Sequence, residues 1–237
     1  MSKHMKRLTA PRSWRVERKT SHWIAKPSPG PHPIDEAVPL AVVLRDMLHH
    51  CDTYQEAKQI IGGRNILADG RIVTDPKFPL GLMDVLSIPK TREHFRVLKD
   101  RRGKLVLQRI GPEEARWKLV RIEDKKVVPG GRVQLNLHDG RNMLVERNEH
   151  KTGDVLKIEL PGQKVLASFP EAVGSLAMLT GGHHVGELAT IAGFEEKKNP
   201  MPNLVKFKEG FYTIRPYVFT IGVTVPEIKL PQVEVDK

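Results

Sequence analysis

The stretch VQLNLHDGRNMLV, from Val133 to Val145, decides how this chain reads. Val133, Leu135 and Leu137 alternate with Gln134, Asn136 and His138, which gives an extended strand one apolar and one polar face. Asp139-Gly140 follows, a dipeptide suited to a tight hairpin turn, and Met143–Val145 returns. Downstream, Leu156, Ile158 and Leu160 alternate with Lys157 and Glu159, and Val165–Phe169 closes the run. Upstream, Phe95–Leu98 and Leu105–Gln108 flank the turn Asp100–Lys104, and Trp117–Glu123 with Val127–Val128 precede a turn at Pro129-Gly130-Gly131. A series of short strands without a helical period predicts a small barrel or sandwich over residues 92–170.

The pattern continues toward the C-terminus. Ser175–Leu179, Leu188–Ile191, Lys206–Phe207 and Tyr217–Ile221 read as strands, with a glycine-rich loop at Gly181–Gly186. They form a second β module over 171–223, followed by an extended tail, 224–237, broken by Pro226 and Pro231.

Toward the N-terminus the period changes. Leu40, Val43, Leu44, Met47 and Leu48 recur at helical spacing, with His49-His50 at the end facing the helix dipole. A second helix starts at a capping box, Thr53 and Glu56, runs through Ala57, Ile60 and Ile61, and stops at Gly62-Gly63. Apolar residues flank the turn pair Asp69-Gly70, and Val85–Ile88 adds a strand, so 39–91 is expected to be two helices on a small sheet. The predicted class is α+β, predominantly β.

The first 33 residues hold eight Lys or Arg, one acidic residue (Glu17) and the tract Pro27–Pro33. Taken alone, such a segment buries too little apolar surface to offset its ordering entropy, so residues 1–38 are expected to be a mobile basic arm whose removal leaves the domains folded. The formal net charge of +11 divides unevenly: +5 in 1–38, 0 in 39–91, +7 in 92–170 and −1 in 171–237. Localised positive footprints point to a polyanion, and nucleic acid fits best. A lipid surface would need an amphipathic helix, which five prolines in the arm prevent. The longest apolar stretches, such as Ala37–Leu44, are too short to cross a bilayer. One cysteine, Cys51, allows neither an intrachain disulfide nor a cysteine-based zinc site, so a soluble intracellular protein is expected. There is no phosphate-binding loop, G-x-S-x-G elbow or H-E-x-x-H motif, and the adjacent His183-His184 lack an acidic or cysteine cluster. No cofactor, metal or small-molecule substrate is expected.

Three blocks resemble one family. Residues 3–14 and the proline tract, 26–33, are similar to the amino terminus of the S-four-e family of small-subunit ribosomal proteins in archaea and eukaryotes. Residues 133–142 and 152–161 resemble its central domain, and 217–222 its carboxyl-terminal signature. The resemblance implies a small S-four-type RNA-binding module at 39–91, a central β-barrel-like domain at 92–170 and a KOW-type, SH3-like barrel at 171–223, with Gly186 at the KOW glycine position. It departs from the pattern at Thr53-Tyr54, where the S-four-type fold often carries Ser-Arg, and at Ala189, often a second glycine in KOW motifs. It implies a non-enzymatic constituent of the cytoplasmic ribosome whose partners are small-subunit ribosomal RNA and neighbouring ribosomal proteins. An RNA-modifying enzyme carrying an S-four-type module is the rival reading, and it would need a catalytic domain of its own.

RNA binding needs cations that reach phosphates and planar groups that stack on bases. On the arm the candidates are Lys3, Lys6, Arg7, Arg12, Arg15, Arg18, Lys19 and Lys26, with Trp14 and Trp23 as stacking groups, although docking of a tryptophan on the protein's own domains is an equal expectation. In the next module they are Arg45, Lys58, Arg64 and Arg71; in the turn of the central region, Arg101, Arg102 and Lys104. Trp117, alone in a strand, is expected in the core.

Overall fold

The computed structural model describes residues 4–231, which divide into two compact units. The first comprises the described residues up to Leu98, with Lys104–Lys118 and Leu160–Gln163; the second comprises Lys99–Gly103, Leu119–Glu159 and the described residues from Lys164 onward.

In the first unit a two-stranded ribbon, β1 (Met5–Lys6) and β2 (Trp23–Ile24), precedes β3 (Ala37–Pro39). Helix α1 (Leu40–Val42) then runs on into a π-helical stretch, Val43–Met47. Leu40, Ala41, Val42, Val43 and Leu44 are all buried. The sequence predicts one apolar face here, whereas the whole first turn is covered, because Ala10, Trp14 and Ile24 of the arm join the same core. Helix α2 (Tyr54–Gly62) begins at the expected capping box. The Glu56 N–H donates to Thr53 Oγ1 (3.2 Å), and the Glu56 carboxylate accepts from the Asp52 and Thr53 N–H groups (3.0 and 3.3 Å).

Strands β4 (Leu67–Ala68) and β5 (Arg71–Ile72) meet at the predicted turn, where Asp69 (φ +50°) and Gly70 (φ +74°) take the two left-handed positions of a type I′ hairpin. β6 (Pro79–Gly81) pairs with β3, and β7 (Val85–Ile88) with β4. The hairpin of β8 (Glu93–Lys99) and β9 (Leu105–Arg109) lies just past residue 91 and pairs back onto β7. Ser87 stands opposite His94 and Val85 opposite Arg96, so the hairpin extends the first sheet in the order β5-β4-β7-β8-β9. It supplies the hydrogen-bonding edge that β7 would otherwise leave unpaired.

The mobile-arm expectation is corrected too. Trp14 is 1% exposed and its indole N–H donates to the Ala37 carbonyl (2.7 Å). Arg7, 4% exposed, pairs with Asp46 (2.6 Å) and donates to the Glu17 carbonyl. The arm has too few apolar residues for a core of its own, but it adds them to one that already exists. Deleting residues 2–33 would therefore uncover α1 instead of trimming a tail.

Behind the sheet lies a buried ionic cluster. Lys118 is fully buried, and its Nζ lies 2.7 Å from Asp69 Oδ2 and 3.0 Å from Asp84 Oδ1. Asp84 Oδ2 also accepts from the Gly81 N–H and meets His32 Nε2, each at 3.0 Å, while Asp69 Oδ1 accepts from the Val85 N–H (2.9 Å). Burial by itself would push the Asp84 carboxyl up; Lys118, His32 and these hydrogen bonds outweigh it and hold the carboxyl well below the usual carboxylate range. Arg96, 1% exposed, lies over the half-buried Trp117 ring (4.4 Å) and donates to the Glu114 and Trp117 carbonyls (2.8 and 2.9 Å). Burial lowers its guanidinium to about 10.

The second unit holds two five-stranded antiparallel sheets. The first is built from β10 (Trp117–Val127, whose first two residues count with the other unit), β11 (Val133–Leu137), β12 (Asn142–Val145), β13 (Val155–Glu159) and β14 (Val165–Phe169), in the order β12-β11-β10-β13-β14. As the opening motif requires, Val133, Leu135 and Leu137 are buried, beside Val120, Ile122, Leu156 and Ile158. The other sheet is β15 (Leu176–Leu179), β16 (Leu188–Glu195), β17 (Leu204–Phe207), β18 (Tyr212–Ile214) and β19 (Val218–Gly222), in the order β18-β17-β16-β15-β19. β18 escapes sequence reading because its residues are half-buried or exposed and carry no alternation. Arg121 donates to the Pro216 and Val218 carbonyls (2.7 and 2.8 Å). Glu171, pushed up by burial against the pull of Arg215, receives the Arg215 guanidinium at 2.8 Å.

Two outcomes follow for stability. Lys118→Met leaves Asp69 and Asp84 buried without their cation and should cost about 3–5 kcal/mol in urea unfolding. Because Asp84 titrates lower folded than its ordinary value of 3.8, its stabilisation is complete above about pH 4 and is lost as pH falls below that. An acid titration of the melting temperature should show the fall in the wild type and a smaller one in Asp84→Asn.

Candidate nucleic-acid interface

The arm's described residues sort into two sets. In the β1–β2 ribbon Lys6 stands opposite Trp23 and Met5 opposite Ile24. Ile24 turns inward, so Trp23 turns out and is 55% exposed. His22 approaches the Trp23 ring edge-on at 4.6 Å and His4 at 5.8 Å, which groups three rings on the ribbon where exposed Lys6 stands opposite Trp23. Neither histidine is legible as a partner from sequence, since the ribbon register brings them to Trp23. A planar, cationic, exposed group of this kind can stack on an unpaired base and neutralise its phosphate.

The other set is structural. Trp14 and Arg7, both predicted to touch RNA, are removed from solvent by the core and by Asp46. Arg18 spends its guanidinium on the carbonyls of Leu8, Ala10 and Pro11 (3.3, 2.7 and 2.8 Å). Lys26 is half-buried, whereas Arg12 and Arg15 are exposed. Lys3 lies outside the described residues.

Arg15, Arg45 and Lys104 border a cleft of about 700 Å³ that also holds Glu17, Asp46 and Asp52. Arg45 lies against Asp46 (2.7 Å), so the cleft is mixed in charge and not a bare cationic pocket. Elsewhere on the first unit Lys58 is exposed on α2, Arg64 is exposed just after it at φ +58°, and Arg71 is exposed beside Ile72, itself 58% exposed. Lys90 and Arg92, at the β7–β8 turn, are exposed cations that sequence reading passes over. In the second unit Arg101 and Arg102 are exposed on the loop after β8, where Asp100 Oδ1 accepts the Arg102 N–H (2.8 Å). His184 stacks on Phe211 (4.0 Å), and its Nδ1 lies 2.9 Å from Glu187 Oε2. Among the described residues no cluster of three His, Cys, Asp or Glu is arranged to hold a metal, and no helix is long and apolar enough to cross a membrane.

These features define a mostly-β chain with few helices, several antiparallel sheets and cations concentrated on exposed turns and a ribbon. Known proteins of this class match it. The family described as "Ribosomal family S4e" matches residues 91–165, and the "RS4NT (NUC023) domain" matches residues 1–35. The small ribosomal subunit protein eS4 of Methanothermobacter thermautotrophicus is 44% identical over 233 residues, 97% of this chain and 96% of that one. That of Methanocaldococcus jannaschii is 42% identical over 240 residues, 96% of this chain and 97% of that one. The crystal structure of the 30S ribosomal protein S4e from Thermoplasma acidophilum superimposes with a TM-score of 0.72 at 37% identity, covering 80% of this chain and 97% of the other. The chain belongs to the ribosomal S4e family.

The two sets of arm residues separate experimentally. Arg18→Ala should lower stability by about 1–3 kcal/mol through three lost charge-assisted hydrogen bonds, read by chemical denaturation. Lys19→Ala, at an exposed site, should stay within about 0.5 kcal/mol of wild type.

Proposed function

We propose that this chain is a non-enzymatic structural protein of the small ribosomal subunit that binds and stabilises small-subunit ribosomal RNA during assembly and translation. Its relatives are named as small ribosomal subunit proteins, and the family is one of structural ribosomal proteins rather than enzymes. The observation that carries the RNA reading is the exposed Trp23 with His4, His22 and Lys6 on a ribbon anchored by the buried Trp14. On this reading the ribbon and Arg12, Arg15 and Lys19 contact unpaired RNA, while Lys58, Arg64, Arg71, Arg101 and Arg102 meet phosphates and release counterions. Residues 39–91 act as an S-four-type module, 171–223 as a KOW-type barrel, and the neutral faces meet neighbouring ribosomal proteins in the cytoplasmic ribosome.

Trp23→Ala should weaken binding to small-subunit ribosomal RNA by about 1–3 kcal/mol, the loss of one stacked base, with an unchanged melting temperature. Trp14→Ala should do the reverse, costing about 3–5 kcal/mol of stability. For the wild type, the log–log dependence of affinity on salt should have a slope of several units if about eight phosphates are neutralised. A slope near −1, or loss of the protein from purified small subunits in a high-salt wash, would reject the reading.

A further inference from the structure

The loop after β8 is carried by a hairpin of the first sheet, yet its residues Lys99–Gly103 belong to the second unit. There they sit on the glycine-rich loop between β15 and β16. The buried Lys99 donates from Nζ to the Thr180 carbonyl (2.9 Å). Gly186 faces the loop so closely that a Cβ on it would stand 2.6 Å from the Asp100 carbonyl carbon and oxygen and 2.8 Å from the Arg101 nitrogen. A Cβ on Gly103 would meet Val185 at 3.6 Å. Gly186 is thus glycine for a reason beyond its φ of +76°: the backbone of Asp100-Arg101 occupies the place of its side chain.

From this packing we infer that the two loops form one crest that grips the RNA backbone, with Gly186 as the seat that fixes Arg101 and Arg102 for phosphate contact. The inference rests on the ribosomal RNA reading above and adds which surface of the last sheet makes contact. Both arginines and His183 are exposed around the seat. Asp100 Oδ1 accepts the Arg102 N–H, and Glu187 Oε2 lies 2.9 Å from His184 Nδ1. A guanidinium presents a rigid fork that matches two phosphate oxygens. On an unsupported loop, holding two such forks in place costs side-chain and backbone entropy at the moment of binding; a seated loop has met the backbone part of that cost on folding.

The test measures affinity of the full chain for small-subunit ribosomal RNA across a salt series, with melting temperature as the fold control. The double variant Arg101→Ala/Arg102→Ala should reduce the magnitude of the salt slope by about two, one per phosphate contact, at unchanged melting temperature. Gly186→Ala keeps every charge, so a similar reduction in slope would come from the seat alone. Gly182→Ala is the control, because it carries the same strain of a positive φ (+84°) with no atom nearer than 3.6 Å to the added carbon, and it should keep the wild-type slope. Adding Gly186→Ala to the double variant should bring no further loss. Where Gly186→Ala lowers the melting temperature, Val185→Ala replaces it, withdrawing the packing under Gly103 without altering a left-handed residue, and should shift the slope in the same direction. A wild-type slope in the double arginine variant overturns the crest; a wild-type slope in both seat variants, or fully additive losses, overturns the role of Gly186. A wild type that fails to bind this RNA at all overturns the functional reading itself.

Discussion

A fully buried ammonium must be met by buried anions, and Lys118 imposes that requirement on the whole first unit. Its partners come from distant parts of the chain: Asp69 from a hairpin turn and Asp84 from the turn after β6, with His32 of the proline tract closing the far side of Asp84. The cluster works only if the arm, both turns and the start of β10 arrive at one point. Gly81 shows how tightly they arrive, since a Cβ there would stand 2.3 Å from the His32 ring. Replacing such a cluster by apolar residues can be neutral for stability, so its contribution here is best read as geometric: it permits one arrangement of four segments.

That arrangement explains why a segment with the composition of a tail is folded. The arm supplies Ala10, Trp14 and Ile24, as well as Val38 of β3, to the core around a helix whose first turn is apolar all round. Arg7 and Arg18 are spent on Asp46 and on the arm's own carbonyls. Alternation across the ribbon then puts Ile24 in and Trp23 out, so one structural commitment positions the exposed rings. Cations that look equivalent in the sequence divide into those that hold the arm down and those that stand exposed at the surface. In the second unit Arg121 and Arg215 play the holding part, tying loops and carbonyls between the sheets, while Arg101 and Arg102 remain at the surface.

Local signals were legible wherever a short stretch settles its own conformation. The capping box of Thr53 and Glu56, the Asp69-Gly70 turn and the alternation of Val133, Leu135 and Leu137 depend on neighbours within a few residues, and each appears where the sequence puts it. The family resemblance was legible for the same reason, because its motifs are contiguous blocks. The attachment of the β8–β9 hairpin, the strand β18 and the grouping of His4 and His22 about Trp23 were not, because strand pairing and register are decided by partners far along the chain.

By itself, then, the sequence determined the element types, the turns, the uneven distribution of charge and the family, all of which follow from local torsional preference, hydrophobic period and contiguous motifs. Only the tertiary structure decided which of two tryptophans is core and which is surface, which arginines are buried or tied to carbonyls and which stand exposed, and why the backbone of Asp100-Arg101 crowds position 186. Those outcomes depend on burial and on the approach of one backbone to another, and neither is encoded within the span of residues where the choice is made.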